Sequence, residues 1–369
     1  MTSKAPVTSP LDERHRALGA KMADFSGWSM PIDYPGGGVL AEHAAVREGV
    51  GLFDVSHLGT LRVEGPGAAD AVNRCLTADL AKAGAGKAQY TLCCDEASGG
   101  VVDDLIVYVR ASSSLLLVPN CANAAEVARR LRASCPGEVE IVDRHRDEAM
   151  LAVQGPRSAD VLTALDLPIP PAYMAFVETT WEGTELTVCR SGYTGELGFE
   201  LIVGAGAAVR LWDALAAVTA RYEGLVCGLG ARDTLRTEMG YPLWGHELSL
   251  DVTPVMARLG WAVGWDKGTF WGKEPLARQR AEQAGPLATG LIAPGKGIPR
   301  QGCRVRDASG AGVGVVTSGT MSPTLRQGIA LALLDRSVRE GDDVVVEVRG
   351  RDVPALVKRP PFVTSSAAG

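Results

Sequence analysis

The chain has 369 residues, of which 46% are hydrophobic and 22% charged, and its formal net charge is -6. This composition excludes a disordered protein, and the length predicts two or three folded units rather than one core. The acidic balance argues against nucleic acid as the main partner, because phosphate binding needs concentrated Lys and Arg. We find no apolar run long enough for a membrane span and no signal-peptide pattern, so we expect a cytoplasmic protein.

The first part of the chain predicts short strands and a few amphipathic helices. Residues 59–64 alternate like a half-exposed strand, and residues 66–76 follow as a helix with proline in its first turn. Asn123 is placed to cap the next helix, and residues 206–222 have helical periodicity. Because strands and helices do not strictly alternate, the sequence favours an antiparallel α+β fold over a doubly wound one.

Beyond about Gly285 the pattern changes to short strands separated by Gly, Ser, Asp and Pro turns, without helical periodicity. This pattern of short strands and turns predicts a small closed β-barrel. The boundary is expected in the polar, helical segment 273–285, so that residues 1–284 form one region and residues 285–369 the barrel domain. The predicted barrel strands are 288–292, 303–306, 312–318, 328–334, 343–348 and 352–358.

Two adjacent acids, Asp103 and Asp104, lie in the apolar, β-branched run 101–108, which predicts a buried strand. A carboxylate in a strand core costs several kcal/mol unless donors or cations meet it. Successive side chains on a strand face opposite ways, so we expect one acid to meet structural donors and the other to face a cavity. The alternative is that both accept backbone amides at a bulge.

A glycine-rich turn, residues 192–198, leads into a strand that contains Glu200. A carboxylate there is able to accept two parallel hydrogen bonds from an amino-pyrimidine edge. The alternative is a structural pair between this glutamate and an arginine. Arg232 begins a helix four residues before Arg236, and it is placed to clamp a carboxylate of the protein or of a ligand. The glycines before it lack the third glycine of a dinucleotide fingerprint.

Aromatic and thiol side chains give weaker signals. Trp28, Tyr90, Tyr193 and Trp261 lie beside the polar segments, where they either line a site for a flat ligand or fill the core. His57 is interpreted as a hydrogen-bonded structural histidine, with a catalytic base as the alternative.

The eight cysteines contain no CxxC pair, so we expect reduced thiols. The five histidines have no metal-ligand spacing, so we expect no metal.

Taken together, these segments resemble the aminomethyltransferases, the T-protein family of the glycine cleavage system. The resemblance covers the chain from Pro10 to Phe362. It rests on segments that occur in the family's order and near its spacing: residues 24–31, 53–57, 99–108, 154–156, 192–200, 228–236 and 317–324.

The resemblance implies a three-lobed α+β fold with antiparallel sheets, in which tetrahydrofolate binds centrally to two interleaved lobes and a β-barrel follows. It also implies the reaction. The lipoylated H-protein delivers an aminomethyl group on sulfur, ammonia leaves, and the one-carbon unit passes to tetrahydrofolate to give 5,10-methylenetetrahydrofolate and dihydrolipoyl H-protein. Tetrahydrofolate is then an acceptor substrate, with neither a metal, a nucleic acid nor a membrane involved.

By match of motif, Asp104 resembles the acid beside N10 of the folate, which takes its proton or stabilises the positive charge that develops there. Glu200 resembles the residue that binds the amino-pyrimidine edge of the pterin. The other matches are to residues of the folate-binding set: Tyr90, Asn120, Tyr193, Arg232 and Trp261.

Two alternative functions share this fold. One is a folate-dependent demethylase that acts on a free methylated amine or sulfur compound without a carrier protein. The other is a folate-binding accessory protein that supports iron-sulfur assembly. Those accessory relatives carry a Lys-Gly-Cys-Tyr-type motif, whereas residues 240–245 here read Gly-Tyr-Pro-Leu-Trp-Gly, which disfavours the second alternative.

Overall fold

The computed structural model describes residues 5–367, in which three sheets precede a closed barrel. The strands before the barrel are β1 (Val7–Thr8), β2 (Lys21–Phe25), β3 (Trp28–Asp33), β4 (Gly51–Asp54), β5 (Leu61–Glu64), β6 (Lys87–Cys94), β7 (Val101–Ala111), β8 (Ser114–Val118), β9 (Glu140–Asp143), β10 (Glu148–Gln154), β11 (Phe176–Trp181), β12 (Thr184–Cys189), β13 (Gly198–Gly204) and β14 (Leu225–Cys227).

The barrel strands are β15 (Leu287–Ala293), β16 (Arg304–Arg306), β17 (Gly312–Ser322), β18 (Gln327–Leu334), β19 (Asp343–Val348) and β20 (Arg351–Val357). The helices are α1 (Asp12–Ala17), α2 (Gly38–Glu48), α3 (Ala68–Cys75), α4 (Ala124–Ser134), α5 (Ser158–Thr163), α6 (Ala208–Arg221), α7 (Leu229–Met239) and α8 (Lys273–Glu282). Short 3-10 turns cover Leu80–Lys82, Ala205–Ala207 and Gly260–Ala262.

Two of the sheets face each other and define the centre of the molecule. The five-stranded sheet has the order β6-β7-β8-β5-β9, and all its neighbouring strands are antiparallel. The six-stranded sheet has the order β11-β12-β13-β10-β4-β14, in which only β4 and β14 are parallel. A small sheet, β1-β3-β2, lies before them. The predicted α+β fold with antiparallel sheets is therefore confirmed, with parallel pairs at β1-β3 and β4-β14.

Strand β7 shows why the sheets pack as they do. Leu105, Val107 and Val109 face α3 and α4 in one hydrophobic cluster, whereas Ile106 and Tyr108 face the six-stranded sheet in another. This is the period of two that an extended strand imposes on its side chains. Both faces of β7 are apolar because helices cover one and a second sheet covers the other.

The six-stranded sheet repeats this division. Leu151 and Val153 of β10 pack with Trp212 of α6 on the outer side, whereas Met150 and Ile202 face the five-stranded sheet. The space between the two sheets is therefore a shared apolar core. Wherever a polar side chain replaces an apolar one on these inner faces, it points into this space.

The barrel closes in the order β15-β18-β17-β16-β19-β20, with β20 pairing back to β15. The prediction of a C-terminal barrel is thus confirmed. Helix α2 was absent from the sequence-based prediction, because its Gly-Val-Leu-Ala-Glu-His start carries only a weak amphipathic pattern. Asn123 does precede α4, but its side chain makes no cap and instead donates to Asp103.

A β-bulge precedes the two adjacent acids of β7. Cys93 of β6 pairs with Asp103, whereas the next residue, Cys94, pairs with Val101. Val102 is therefore the extra residue of the longer strand.

Candidate functional site

A cavity of about 400 Å³ lies between the facing sheets, with α7 and the loop that carries the Gly260–Ala262 turn completing its walls. Its lining is mainly apolar, which suits an organic ligand that needs a few directed polar contacts. All the site residues predicted from the sequence lie in this lining: Tyr90, Asp104, Asn120, Tyr193, Glu200, Arg232 and Trp261.

The two adjacent acids of β7 face opposite ways, as the strand geometry predicts. Asp104 lies on the face shared with Ile106 and lines the cavity, whereas Asp103 is 0% exposed and turns toward α4. Tyr90 donates its hydroxyl to Asp104 Oδ2 at 3.0 Å, and Asn120 Nδ2 donates to Asp104 Oδ1 at 2.9 Å. Asp104 is thus held at both oxygens on the cavity wall.

Burial controls the protonation of Asp104. Desolvation raises the pKa of Asp104 to about 6, and the hydrogen bonds from Tyr90 and Asn120 oppose this by stabilising the ionised form. Burial also raises the pKa of Asp103, and the neighbouring charge of Asp104 adds to that shift. A carboxyl group whose pKa lies near neutrality is suited to accept or return a proton during turnover.

Glu200 faces the cavity from the opposite sheet, on the same face of β13 as Ile202. Burial raises the pKa of Glu200, and the hydroxyl of Ser191 donates to its carboxylate. Within residues 5–367 it makes no ion pair with an arginine, so the structural alternative weighed for this residue is not the arrangement observed. One carboxylate on each sheet, the half-buried Asp104 and the buried Glu200, therefore points into the same cavity.

The turn before Glu200 is shaped by Gln154. A Cβ atom on Gly192 would come within 2.0 Å of the Gln154 side chain, and one on Gly198 within 2.3 Å. Gln154 donates to the carbonyl of Ser191 at 3.1 Å and accepts from Thr194 at 2.8 Å. The absence of side chains at both glycines lets the turn close on this amide, which fixes the loop that brings Tyr193 into the cavity.

Arg232 supplies the positive charge of the site. Its guanidinium lies 4.2 Å from the ring centre of Tyr193, and burial lowers its pKa. Across the described part of the chain this side chain has no hydrogen-bond or ion-pair partner. A half-buried guanidinium without an anion is suited to bind an anionic ligand group.

Arg236, one turn further along α7, has a different role. It is 1% exposed, and it pairs with Glu247 at 2.8 Å and with Ser318 of β17 at 2.8 Å. Glu247 also accepts from Thr317 at 2.6 Å and from the backbone amide of Leu243 at 3.0 Å. This network ties the barrel to the loop that forms one wall of the cavity, so the two arginines of α7 do not act together on a ligand.

Two stacked rings form the mouth of the cavity. Tyr90 and Trp261 lie with their ring centres 5.4 Å apart and their planes inclined by 25°. Trp261 remains 72% exposed, which is unusual for a tryptophan and typical of a contact surface. Tyr193, deeper in the cavity, donates its hydroxyl to the carbonyl of Pro242.

Some lining residues were not predicted from the sequence. They are mostly apolar or aromatic side chains on loops, where no periodicity singles them out: Leu58, Tyr173, Met174, Tyr241, Leu243 and Leu259.

The interpretation of His57 as a histidine with a hydrogen-bonded side chain was wrong. His57 is buried against Phe25, its Nδ1 has no partner in the described chain, and burial lowers its pKa to about 3.

Comparison with known families agrees with this geometry. Residues 11–267 match the GCVT N-terminal domain, and residues 288–364 match the glycine cleavage T-protein C-terminal barrel domain. The chain belongs to the glycine cleavage T-protein family. The resemblance seen in the sequence is thereby confirmed, and the chain is an aminomethyltransferase.

Individual T-proteins resemble this chain over nearly its whole length. An aminomethyltransferase of Parafrankia sp. is 61% identical over 360 residues, which cover 97% of this chain and 98% of that one. An aminomethyltransferase of Mycobacterium tuberculosis is 52% identical over 359 residues, which cover 97% of each chain. The crystal structure of the glycine cleavage system aminomethyltransferase T from Bartonella henselae superimposes with a TM-score of 0.91 at 34% identity, covering 97% of this chain and 98% of that one.

Proposed function

We propose that this enzyme transfers the one-carbon unit of S-aminomethyl-dihydrolipoyl H-protein to tetrahydrofolate. Ammonia is released, and the products are 5,10-methylenetetrahydrofolate and dihydrolipoyl H-protein. The observation that carries the proposal is Asp104, a carboxylate held at both oxygens on the wall of a mainly apolar cavity. We further propose that residues 1–284 bind the substrates and that residues 285–369 form a separate domain.

The polar groups of the cavity match the polar ends of tetrahydrofolate. Glu200 is placed to accept hydrogen bonds from the amino-pyrimidine edge of the pterin. Arg232, which has no side-chain hydrogen bond or ion pair within residues 5–367, is placed to bind a carboxylate of the ligand's glutamate tail. Tyr90, Tyr193 and Trp261 supply flat apolar surface for the rings between these ends.

The chemistry needs a base at the folate and a route for two protons. The new carbon bonds to N5 and N10 of the folate replace one N–H bond at each nitrogen. The carbon–nitrogen and carbon–sulfur bonds of the aminomethyl group break, and the two protons end on ammonia and on the dihydrolipoyl sulfur. Asp104 takes the N10 proton as the ring closes, and its negative charge stabilises the cationic one-carbon group before that step.

The partner and the compartment are part of the same proposal. We place the entry of the lipoyl arm of H-protein at the cavity mouth, beside the exposed Trp261. All eight cysteines are unpaired, which is typical of the reducing cytoplasm, where we place the enzyme.

Within residues 5–367, no helix combines the length and apolarity needed to cross a membrane. No group of His, Cys, Asp and Glu in that range is arranged to hold a metal ion.

The decisive assay compares two donors. Formation of 5,10-methylenetetrahydrofolate is measured with aminomethylated H-protein. Formation of 5-methyltetrahydrofolate, the product that transfer of an intact methyl group gives without an oxidant, is measured separately with a free methylated amine at equal concentration. We expect product only with the carrier-bound donor. Equal or faster turnover of the free amine would instead support the demethylase alternative.

The rate should depend on pH through Asp104. Because only the ionised carboxylate accepts a proton, and because burial raises the pKa of Asp104 to about 6, kcat/KM for tetrahydrofolate is expected to fall as the pH decreases through this value. The Tyr90→Phe variant loses a hydrogen bond that lowers this pKa, so the acidic limb of its pH profile should move to higher pH. The measurement is kcat/KM against pH for both enzymes, with Tyr222→Phe as the control. If the acidic limbs of the pH profiles coincide for wild type, Tyr90→Phe and Tyr222→Phe, the prediction is contradicted.

Arg232 should contribute to affinity rather than to rate. The Arg232→Met variant keeps an unbranched apolar stem but loses the guanidinium and its charge, and hydrogen bonds to charged groups contribute about 1.5–3 kcal/mol. We therefore expect tetrahydrofolate to bind about 10- to 100-fold more weakly, measured by calorimetry. Arg210→Met, at an exposed pair with Glu182, is the matched control and should bind folate normally. Unchanged affinity in Arg232→Met would remove Arg232 from the folate site.

A further inference from the structure

Asn120 makes more contacts with β7 than a ligand-binding side chain needs. Its Nδ2 atom lies 2.9 Å from Asp103 Oδ1, 2.9 Å from Asp104 Oδ1 and 3.0 Å from the carbonyl oxygen of Asp104. A side-chain amide carries only two hydrogens on that nitrogen. Both are therefore engaged with β7, and the nitrogen has none left to donate to a substrate.

Asp103 is the buried end of this arrangement. It accepts from the backbone amide of Asn120 at 3.1 Å, from Asn120 Nδ2, and from Asn123 Nδ2 at 2.8 Å. These N–H donors offset the cost of burying a carboxylate on the helix-covered face of the sheet. Asp103 is not part of the cavity lining, so the reaction derived above gives it no role.

We propose that Asp103 is a positioning residue for the transfer reaction, acting through Asn120 to hold the Asp104 carboxylate toward the substrate. Asp103 binds Asn120 at both its backbone and its side-chain nitrogen, so Asn120 cannot rotate away. Asn120 in turn binds one oxygen of Asp104, while Tyr90 binds the other. This inference rests on the proposed role of Asp104.

These linked hydrogen bonds from Asp103 through Asn120 to Asp104 affect kcat more than the affinity for tetrahydrofolate. Free rotation of Asp104 about its side-chain bonds would move the carboxylate away from the reacting nitrogen. A misplacement of about 1 Å costs about 100-fold in rate even when binding is intact. The charged and titratable groups that face Asp104 from the other elements are Tyr90, Tyr193 and Arg232. Within residues 5–367, none of them makes a hydrogen bond or an ion pair with Asp103 or Asn120.

The test is a double-mutant cycle with Asp103→Asn, Asn120→Ser and the double variant. We expect each single change to lower kcat by about 10- to 100-fold while KM for tetrahydrofolate stays within about threefold. Because Asp103 acts through Asn120, either change breaks the same series of hydrogen bonds. The kcat of the double variant should therefore be no lower than that of the slower single variant. Asp143→Asn, which changes an exposed acid at the end of β9, is the matched control and should keep full activity.

Three outcomes would overturn the proposal: a folded Asp103→Asn enzyme with kcat within about twofold of wild type, losses that multiply in the double variant, or a loss confined to KM. If Asp103→Asn does not fold, Asn123→Ala replaces it, because within residues 5–367 the Asn123 side chain hydrogen-bonds only to Asp103. We expect that variant to lower kcat by about 3- to 10-fold, and wild-type kcat would overturn the proposal. A wild-type enzyme that forms no methylenetetrahydrofolate would instead refute the proposed function.

Discussion

The Asp104→Asn variant is expected to lower kcat by about 100- to 10,000-fold while its affinity for tetrahydrofolate stays within about threefold. Asparagine has nearly the same shape, so Tyr90 can still donate to the side-chain oxygen and the cavity keeps its form. What disappears is the negative charge, the ability to take the N10 proton and the acceptor for Asn120 Nδ2, since the amide nitrogen that replaces the second oxygen only donates. The loss of the charge and of the base acts on the transition state rather than on the bound substrate.

The measurement for Asp104→Asn pairs single-turnover kinetics with folate binding by calorimetry. Asp352→Asn, at an exposed pair with Arg306 in the barrel, is the matched control and should behave as wild type. A kcat close to wild type in a variant that binds folate normally would remove Asp104 from the catalytic role. A loss of folate affinity with unchanged kcat would make Asp104 a binding residue instead.

The largest expected effect on stability comes from Arg236→Met. This change leaves Glu247, which is 4% exposed, without its cation, and it removes the bond to Ser318 of the barrel. Removing one partner of a buried ion pair costs about 3–5 kcal/mol, because the remaining charge is desolvated and unpaired. We expect a clear drop in the urea midpoint, followed by tryptophan fluorescence.

A surface pair provides the comparison for Arg236. Arg14 and Asp213 are both nearly half exposed, and Arg14→Met should change the free energy of unfolding by at most about 1 kcal/mol. The double variant Arg236→Met with Glu247→Met should regain part of the loss, because it removes the unpaired charge. An Arg236→Met midpoint equal to that of Arg14→Met would show that the network does not stabilise the fold.

Strand periodicity explains why much of the cavity could be predicted. The apolar run around Asp103 and Asp104 indicates a buried strand, and a period of two then sends these acids to opposite faces. The same argument places Glu200 on the inner face of its strand. The motif match selected Asp104 as the acid facing the cavity, and the structure places it there.

Loop contacts set the limit of that prediction. The spacing of Arg232 and Arg236 puts both on one side of α7. Only the packing against the barrel determines that Arg236 forms an ion pair with Glu247 and is not available to a ligand. The aromatic residue Tyr241 and its neighbours reach the cavity from segments without periodic structure. For the same reason the side chain of Asn123 could be placed near a helix start but not assigned to Asp103.

The extra residue at Val102 has a consequence for how this family can diverge. An odd number of residues gained or lost between the Gly99–Gly100 turn and the paired acids would exchange their directions, presenting Asp103 to the cavity and turning Asp104 toward α4. Both positions carry the same side chain, so composition would hide the swap. The number of residues between the turn and the acids, rather than the identity of either aspartate, decides which one faces the cavity.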